Sequence, residues 1–124
     1  MSMSVDAVLK EAMSLEGAIG AALVDYSSGM TLGEVSASKE LDLTVAAAGN
    51  TEVVRAKMRT MDMLKMSDTI EDILISLGRQ YHLIRPLSSR SGAGLFVYLA
   101  LDRSRANLAL ARHQLRTLAD NVEI

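Results

Sequence analysis

The chain has 124 residues, 49% of them hydrophobic and 23% charged, and a formal net charge of −2. That is the size of a single domain, 1–124, large enough for its own core, and the ordinary composition of a folded globular protein. Cysteine is absent, which excludes disulfides, thiolate chemistry and thiolate metal sites and fits a reducing compartment.

In chain order, Ser4 is placed to cap a first helix, with Val5, Val8, Leu9, Ala12 and Leu15 on one apolar face and Gly17 ending it. AIGAALVDY, residues 18–26, reads as a strand, and its small residues at 18, 20, 21 and 22 predict a helix crossing it closely. Ser27, Ser28 and Gly29 are turn chemistry, so a short strand over 30–35 returns as a hairpin. Residues 36–40 read as loop. Asp42 caps a long second helix over 43–65, weakened in the middle by Gly49 and Asn50. A third strand over 70–77 turns through Gly78 and Arg79 into a fourth over 80–87, where Pro86 belongs at a strand end. After a loop at 88–93, Leu95 to Leu101 is a run of seven apolar residues, the pattern of a strand covered on both faces. Asp102 and Ser104 offer acceptors for the start of a third helix, which carries Leu108, Ala111, Leu115, Leu118 and Val122 on one face. The order αββαβββα predicts an α+β antiparallel sheet with helices on both faces and strands 18–26 and 95–101 in its middle.

Charge is unevenly spread. Residues 1–78 hold six Lys and Arg against twelve Asp and Glu, whereas residues 79–124 hold seven arginines against three acids. Either folding mixes the two parts, or an arginine-bearing face meets an acidic partner. Nucleic acid is not expected as a partner, because the chain is acidic and has three Tyr, one Phe and no Trp for base stacking. The start MSMSVDAV has no signal-peptide pattern, and no apolar run approaches the roughly 20 residues that span a bilayer. The expectation is a cytoplasmic protein without membrane insertion.

The second helix has two apolar faces. At 100° per residue, Leu43, Ala47, Val54, Met58 and Met61 form the stripe that packs on the sheet. Val45, Ala56 and Met63 fall on the opposite side, with Ala48 and Met66 near them and Glu52, Arg55, Arg59 and Asp62 among them. An apolar set in register, edged by charge and rich in pliable methionine, predicts a protein-contact face. The third strand is apolar on both sides, with Ile70, Ile73, Leu74, Ile75 and Leu77 against only Glu71 and Asp72. At a sheet edge it would be sticky, and pairing with its own copy across a two-fold axis would cover it. Ile70, Asp72, Ile73, Leu74, Ile75 and Leu77 are the expected dimer interface.

Catalytic patterns are missing. His82 and His113 are unlinked, and no group of Asp, Glu and His has metal-ligand spacing. Ser36 to Lys39 matches S-x-x-K, but in a loop and without the companion motifs of a serine hydrolase. Arg90 to Gly94 superficially resembles a phosphate loop, yet it leads into a strand and lacks the Lys-Ser/Thr ending. No enzyme activity, metal or cofactor is expected.

Taken together, AALVDYSSGMTL, the long second helix, ILISLGRQYHLIRPL and LFVYLALDRSRANLALAR resemble the roadblock family, which includes dynein light chains of that name and many small bacterial and archaeal proteins. The resemblance covers nearly the whole chain. It implies a profilin-like fold with strand order 2-1-5-4-3, the first and third helices on one face and the second on the other. It implies dimers, with itself or a paralogue, through third strands paired edge to edge and second helices packed together. It also implies service to a Ras-like small GTPase as scaffold or regulator, some members accelerating GTP hydrolysis. The alternative is a small-ligand sensor or a general interaction module of the same fold.

Overall fold

A computed structural model describes residues 2–88 and 92–123. The elements are α1 (Val5–Met13), β1 (Ala18–Asp25), β2 (Met30–Ser36), α2 (Leu43–Met63), β3 (Ile73–Ser76), β4 (Gln80–Pro86), β5 (Leu95–Asp102) and α3 (Leu108–Asn121). The strands form one antiparallel sheet in the order β2-β1-β5-β4-β3. The expected αββαβββα order and profilin-like arrangement are therefore what the chain adopts.

Strand β5 is central because its residues can be nowhere else. Leu95 to Leu101 are all buried. Alternate side chains go to opposite faces, so one strand feeds two cores. Leu95, Val97, Leu99 and Leu101 join Val8, Leu9, Ala12, Ala111, Leu115 and Leu118 under α1 and α3. Phe96, Tyr98 and Ala100 join Ala22, Val24, Leu43, Ala47 and Val54 under α2. Each fully buried large side chain contributes about 1.5–3 kcal/mol, so the double-sided strand anchors both layers. The small residues of β1 do admit a close helix: a Cβ on Gly20 would stand 2.9 Å from Leu41 Cδ2 and 3.3 Å from Leu43 Cδ2, at the start of α2.

Several boundaries differ from expectation, each for a local reason. The third helix begins at Leu108 with Asn107 as its cap, not at Asp102 or Ser104. Asp102 is instead used in a turn: its Oδ1 accepts from the Ser104 amide and hydroxyl, and its carbonyl accepts from Ala106. α1 ends at Met13, its last carbonyls taken by the Ser14 amide. Gly17 comes after that turn, at φ +87° and 3.0 Å from the Asp102 carbonyl by its absent Cβ. β3 holds only four residues, because 70–72 leave the ladder. The stretch Arg90 to Gly94, whose likeness to a phosphate loop was superficial, lies partly outside the described residues; its last residue, Gly94, takes φ +85° in the turn into β5.

Candidate protein-interaction surface

Helix α2 is set by its ends. Asp42 Oδ1 accepts from the Thr44 and Val45 amides at 3.0 and 3.2 Å. The far end closes in a Schellman motif, Met66 N–H to the Met61 carbonyl and Lys65 N–H to the Asp62 carbonyl, both 3.0 Å. Lys65 occupies the left-handed position at φ 56°. Leu43, Ala47, Thr51, Val54 and Met61 are buried on the sheet. The Thr51 hydroxyl is satisfied by the Ala47 carbonyl at 2.7 Å.

The opposite face is open. Val45 is 67% exposed and Met63 70%. Ala56, Glu52, Arg55, Arg59 and Asp62 are exposed as well. The ion pairs formed by described residues are Arg112–Asp72 and Arg116–Glu71, so none of Glu52, Arg55, Arg59 and Asp62 is in an ion pair with a described residue. Met66 falls beyond the helix end, its amide bonded to the Met61 carbonyl, and its side chain is exposed.

At the sheet edge, Ile73 and Ile75 turn toward the α2 side and are half-buried against that core. Leu74 points to the other face and is 37% exposed, and Leu77 in the turn is exposed. Ile70 and Asp72 precede the strand. Asp72 accepts two hydrogen bonds from Arg112 at 2.8 and 3.0 Å, a bidentate pair that ties the segment to α3. These bonds and the opposite charge hold the Arg112 pKa above its ordinary value. Glu71 meets Arg116 at 2.9 Å in solvent, a contact worth little.

Between α2 and β3 the sheet face carries a polar chain that the pattern of apolar residues did not disclose. Asn50 on α2 bonds to the Tyr98 hydroxyl. That hydroxyl lies 3.2 Å from His82 Nδ1, and His82 Nε2 lies 2.7 Å from Gln80 Oε1. The consistent assignment has Asn50 donating to Tyr98, Tyr98 donating to Nδ1, and Nε2–H donating to Gln80. The imidazole is neutral in this scheme, and burial holds its pKa below the ordinary value. Burial pushes the Tyr98 hydroxyl up to about 12. Two sequence signals pointed here: a polar Asn50 at a sheet-ward helix position, and a tyrosine in an otherwise apolar strand, whose buried hydroxyl needs a partner.

A cleft of about 500 Å³ lies under the C-terminal end of α2, floored by Tyr26, Met58, Met61, Pro86 and Leu87 and rimmed by Asp62 and Asp68. It is on the α2 face, away from α1 and α3. His82 and His113 stand on different elements, β4 and α3. Among the described residues no group of three or more His, Cys, Asp or Glu could hold a metal ion. The Ser36 hydroxyl donates to the Ser38 carbonyl at 2.6 Å, holding a turn. No helix of the described residues is long and apolar enough to cross a membrane.

The described surface thus pairs an open strand edge, β3, with a helix whose outer face is exposed. No protein-family model and no curated relative matches the sequence. Solved structures do. The Myxococcus xanthus MglB superposes with a TM-score of 0.81 at 16% identity, over 94% of this chain and 83% of that one. The Roadblock/LC7 domain from Streptomyces avermitilis gives 0.77 at 10% identity, over 94% and 92%. An MglB with tetrameric arrangement gives 0.77 at 20% identity, over 91% and 80%. The chain has the fold of a roadblock domain.

Proposed function

We propose that the protein is a dimeric, non-enzymatic regulator or scaffold for a Ras-like small GTPase. The observation that carries this reading is the outer face of α2, where Val45, Ala56 and Met63 are exposed among Glu52, Arg55, Arg59 and Asp62. An apolar centre with a charged rim is how protein contacts are built. The roadblock likeness supplies the partner class. Self-association is supported by the free edge of β3, with Leu74 and Leu77 exposed, and by the tetrameric arrangement named for one structural neighbour.

The dimer would join two β3 edges. A two-fold axis perpendicular to the sheet keeps both α2 helices on the same face, so their outer sides form one platform. Ile70, Asp72, Ile73, Leu74, Ile75 and Leu77 line or flank the joint. Arg55 and Arg59, four apart on the helix, act together on an acidic partner surface. In the test, purified dimer is titrated with the Ras-like GTPases of its own cell, loaded with GDP or a GTP analogue. One of them binds, and the double variant Arg55→Glu with Arg59→Glu weakens binding at least about 10-fold, roughly 1.4 kcal/mol, with helix content and dimer intact. A double variant that dissociates the dimer, or binds as well as the parent, removes the assignment to this face.

A further inference from the structure

We infer that assembly of this chain into its dimer is proton-linked through His82, the dimer forming with the imidazole neutral and loosening when it is charged. The inference rests on the dimer proposed above. Its geometry comes from the strip of sheet between α2 and the free edge. That strip is made of Ile73, Ile75 and His82, with Asn50 and Val53 of α2 along its side. Ile75 is the cross-strand neighbour of His82. Val53 is 37% exposed, so this flank of the helix is uncovered in one chain.

Joining two β3 edges lays the strips of both copies side by side, with an α2 on each flank. The helices then close over a floor that is apolar except at its two histidines. Neutral His82 fits this floor, because both ring nitrogens already have partners: Tyr98 donates to Nδ1 and Gln80 accepts from Nε2–H. A proton added at Nδ1 meets the hydroxyl hydrogen aimed at it. Accommodating it needs Tyr98 to turn that hydrogen away and Asn50 to stop donating. It also puts a charge where the second copy removes water, and this disfavours the charged form.

The groups around His82 do not compensate. Tyr98 faces it from β5 and keeps its proton across the neutral range. Asn50 from α2, Gln80 from its own strand and Ile75 from β3 carry no charge. Glu40 and Asp42 line the same depression, but Asp42 is occupied with the Thr44 and Val45 amides, and Glu40 is exposed, where solvent screens its charge. Across the strip, the second copy's α2 presents Lys57 beside Val53 and Asn50, a further positive charge. His113 is exposed on α3, on the other face of the sheet.

The sign follows from linkage. A histidine whose pKa is lower in the dimer than in the monomer makes the dimer bind fewer protons, so its dissociation constant rises as pH falls through the pKa of the single chain, which burial already holds below the ordinary value. Two such histidines give a rise of up to about 100-fold per pH unit. Sedimentation equilibrium of the full chain at pH 7.5, 6.5 and 5.5 reads the constant directly. The parent and His113→Gln should weaken at least about 10-fold across this range, while His82→Gln stays flat. The proton resonances of the His82 ring should give a lower midpoint in the dimer than in a monomeric Leu74→Lys variant. A dimer equally tight at all three pH values, a His82→Gln variant that still responds, or a dimer midpoint no lower than that of the Leu74→Lys monomer overturns the linkage and leaves the dimer standing. A parent that sediments as monomer throughout overturns both.

Discussion

At the scale of single residues, backbone geometry identifies where substitutions matter. Lys65 is the one described non-glycine residue in the left-handed region, and it closes α2 where glycine usually stands. Lys65→Gly should relieve strain of about 1–2 kcal/mol and return part of it as chain entropy, a net gain of about 0.5–1 kcal/mol by urea denaturation. Gly17 is the reverse case. Alanine there would combine left-handed strain with a Cβ 3.0 Å from the Ala106 nitrogen and the Asp102 carbonyl, both backbone atoms unable to move alone. Gly17→Ala should cost at least about 2 kcal/mol by the same measurement, with loss of the α1–β1 connection. Gly17 was legible as a break in the chain, though the helix ends earlier, at Met13. Lys65 was not, because nothing in a lysine announces a positive φ.

Two carboxylates on turns set an acid dependence. Asp25 is held below its ordinary value by the Ser27 hydroxyl and amide, and Asp102 by the Ser104 hydroxyl and amide. A depressed pKa means stability that is present above the unfolded value of 3.8 and is lost as pH falls through the folded value. Denaturation midpoints of the parent should therefore fall below about pH 4 more steeply than those of Asp102→Asn.

Among elements, the informative case is the short third strand. Its apolar pattern reads as eight residues, but only Ile73 to Ser76 pair with β4. Residues 70–72 are drawn away by Arg112, forty positions later in the chain, and no local pattern could show that contact. Arg112→Ala should loosen this segment, seen as faster amide exchange at 71–73 with little change at β5. Leu74→Lys tests the edge itself. Leu74 faces away from the α2 core and is partly exposed, so the variant should remain folded and sediment as a monomer. Ile75 is a poorer probe, because it also packs on that core. A folded, dimeric Leu74→Lys protein would place the interface elsewhere. The third helix teaches a similar lesson. Asp102, Ser104 and Asn107 are all competent caps, and the choice fell to Asn107 because the first two are consumed in the turn that carries the chain off the sheet.

For the whole molecule, the uneven charge of the sequence is mixed by folding. Arg112 and Arg116 lean onto Asp72 and Glu71, and Arg103 lies 5.0 Å over the Tyr81 ring while bonding the Leu77 carbonyl. Three of the seven arginines in residues 79–124 thus support the fold at separate points. Both sheet edges are uncommitted, β2 with Met30 and Leu32 exposed as well as β3, and so is the outer face of α2; the proposed dimer uses β3 and α2. Joining them in a dimer should bury more than roughly 2,000 Å² in total, the range of obligate pairs.

Sequence by itself determined the element order, the central place of β5 and the sheet-facing stripe of α2. These follow from periodicity, which is local: a strand apolar on both faces must be covered on both, and a helix shows its faces in its spacing. It also marked Val45, Ala56 and Met63 as outward. Only the tertiary structure decided where β3 begins, which residue caps α3, and that Met66 lies beyond the end of α2. It alone brought Asn50, Tyr98, His82 and Gln80 into one hydrogen-bonded chain, because those four residues lie on three elements whose juxtaposition no single segment encodes.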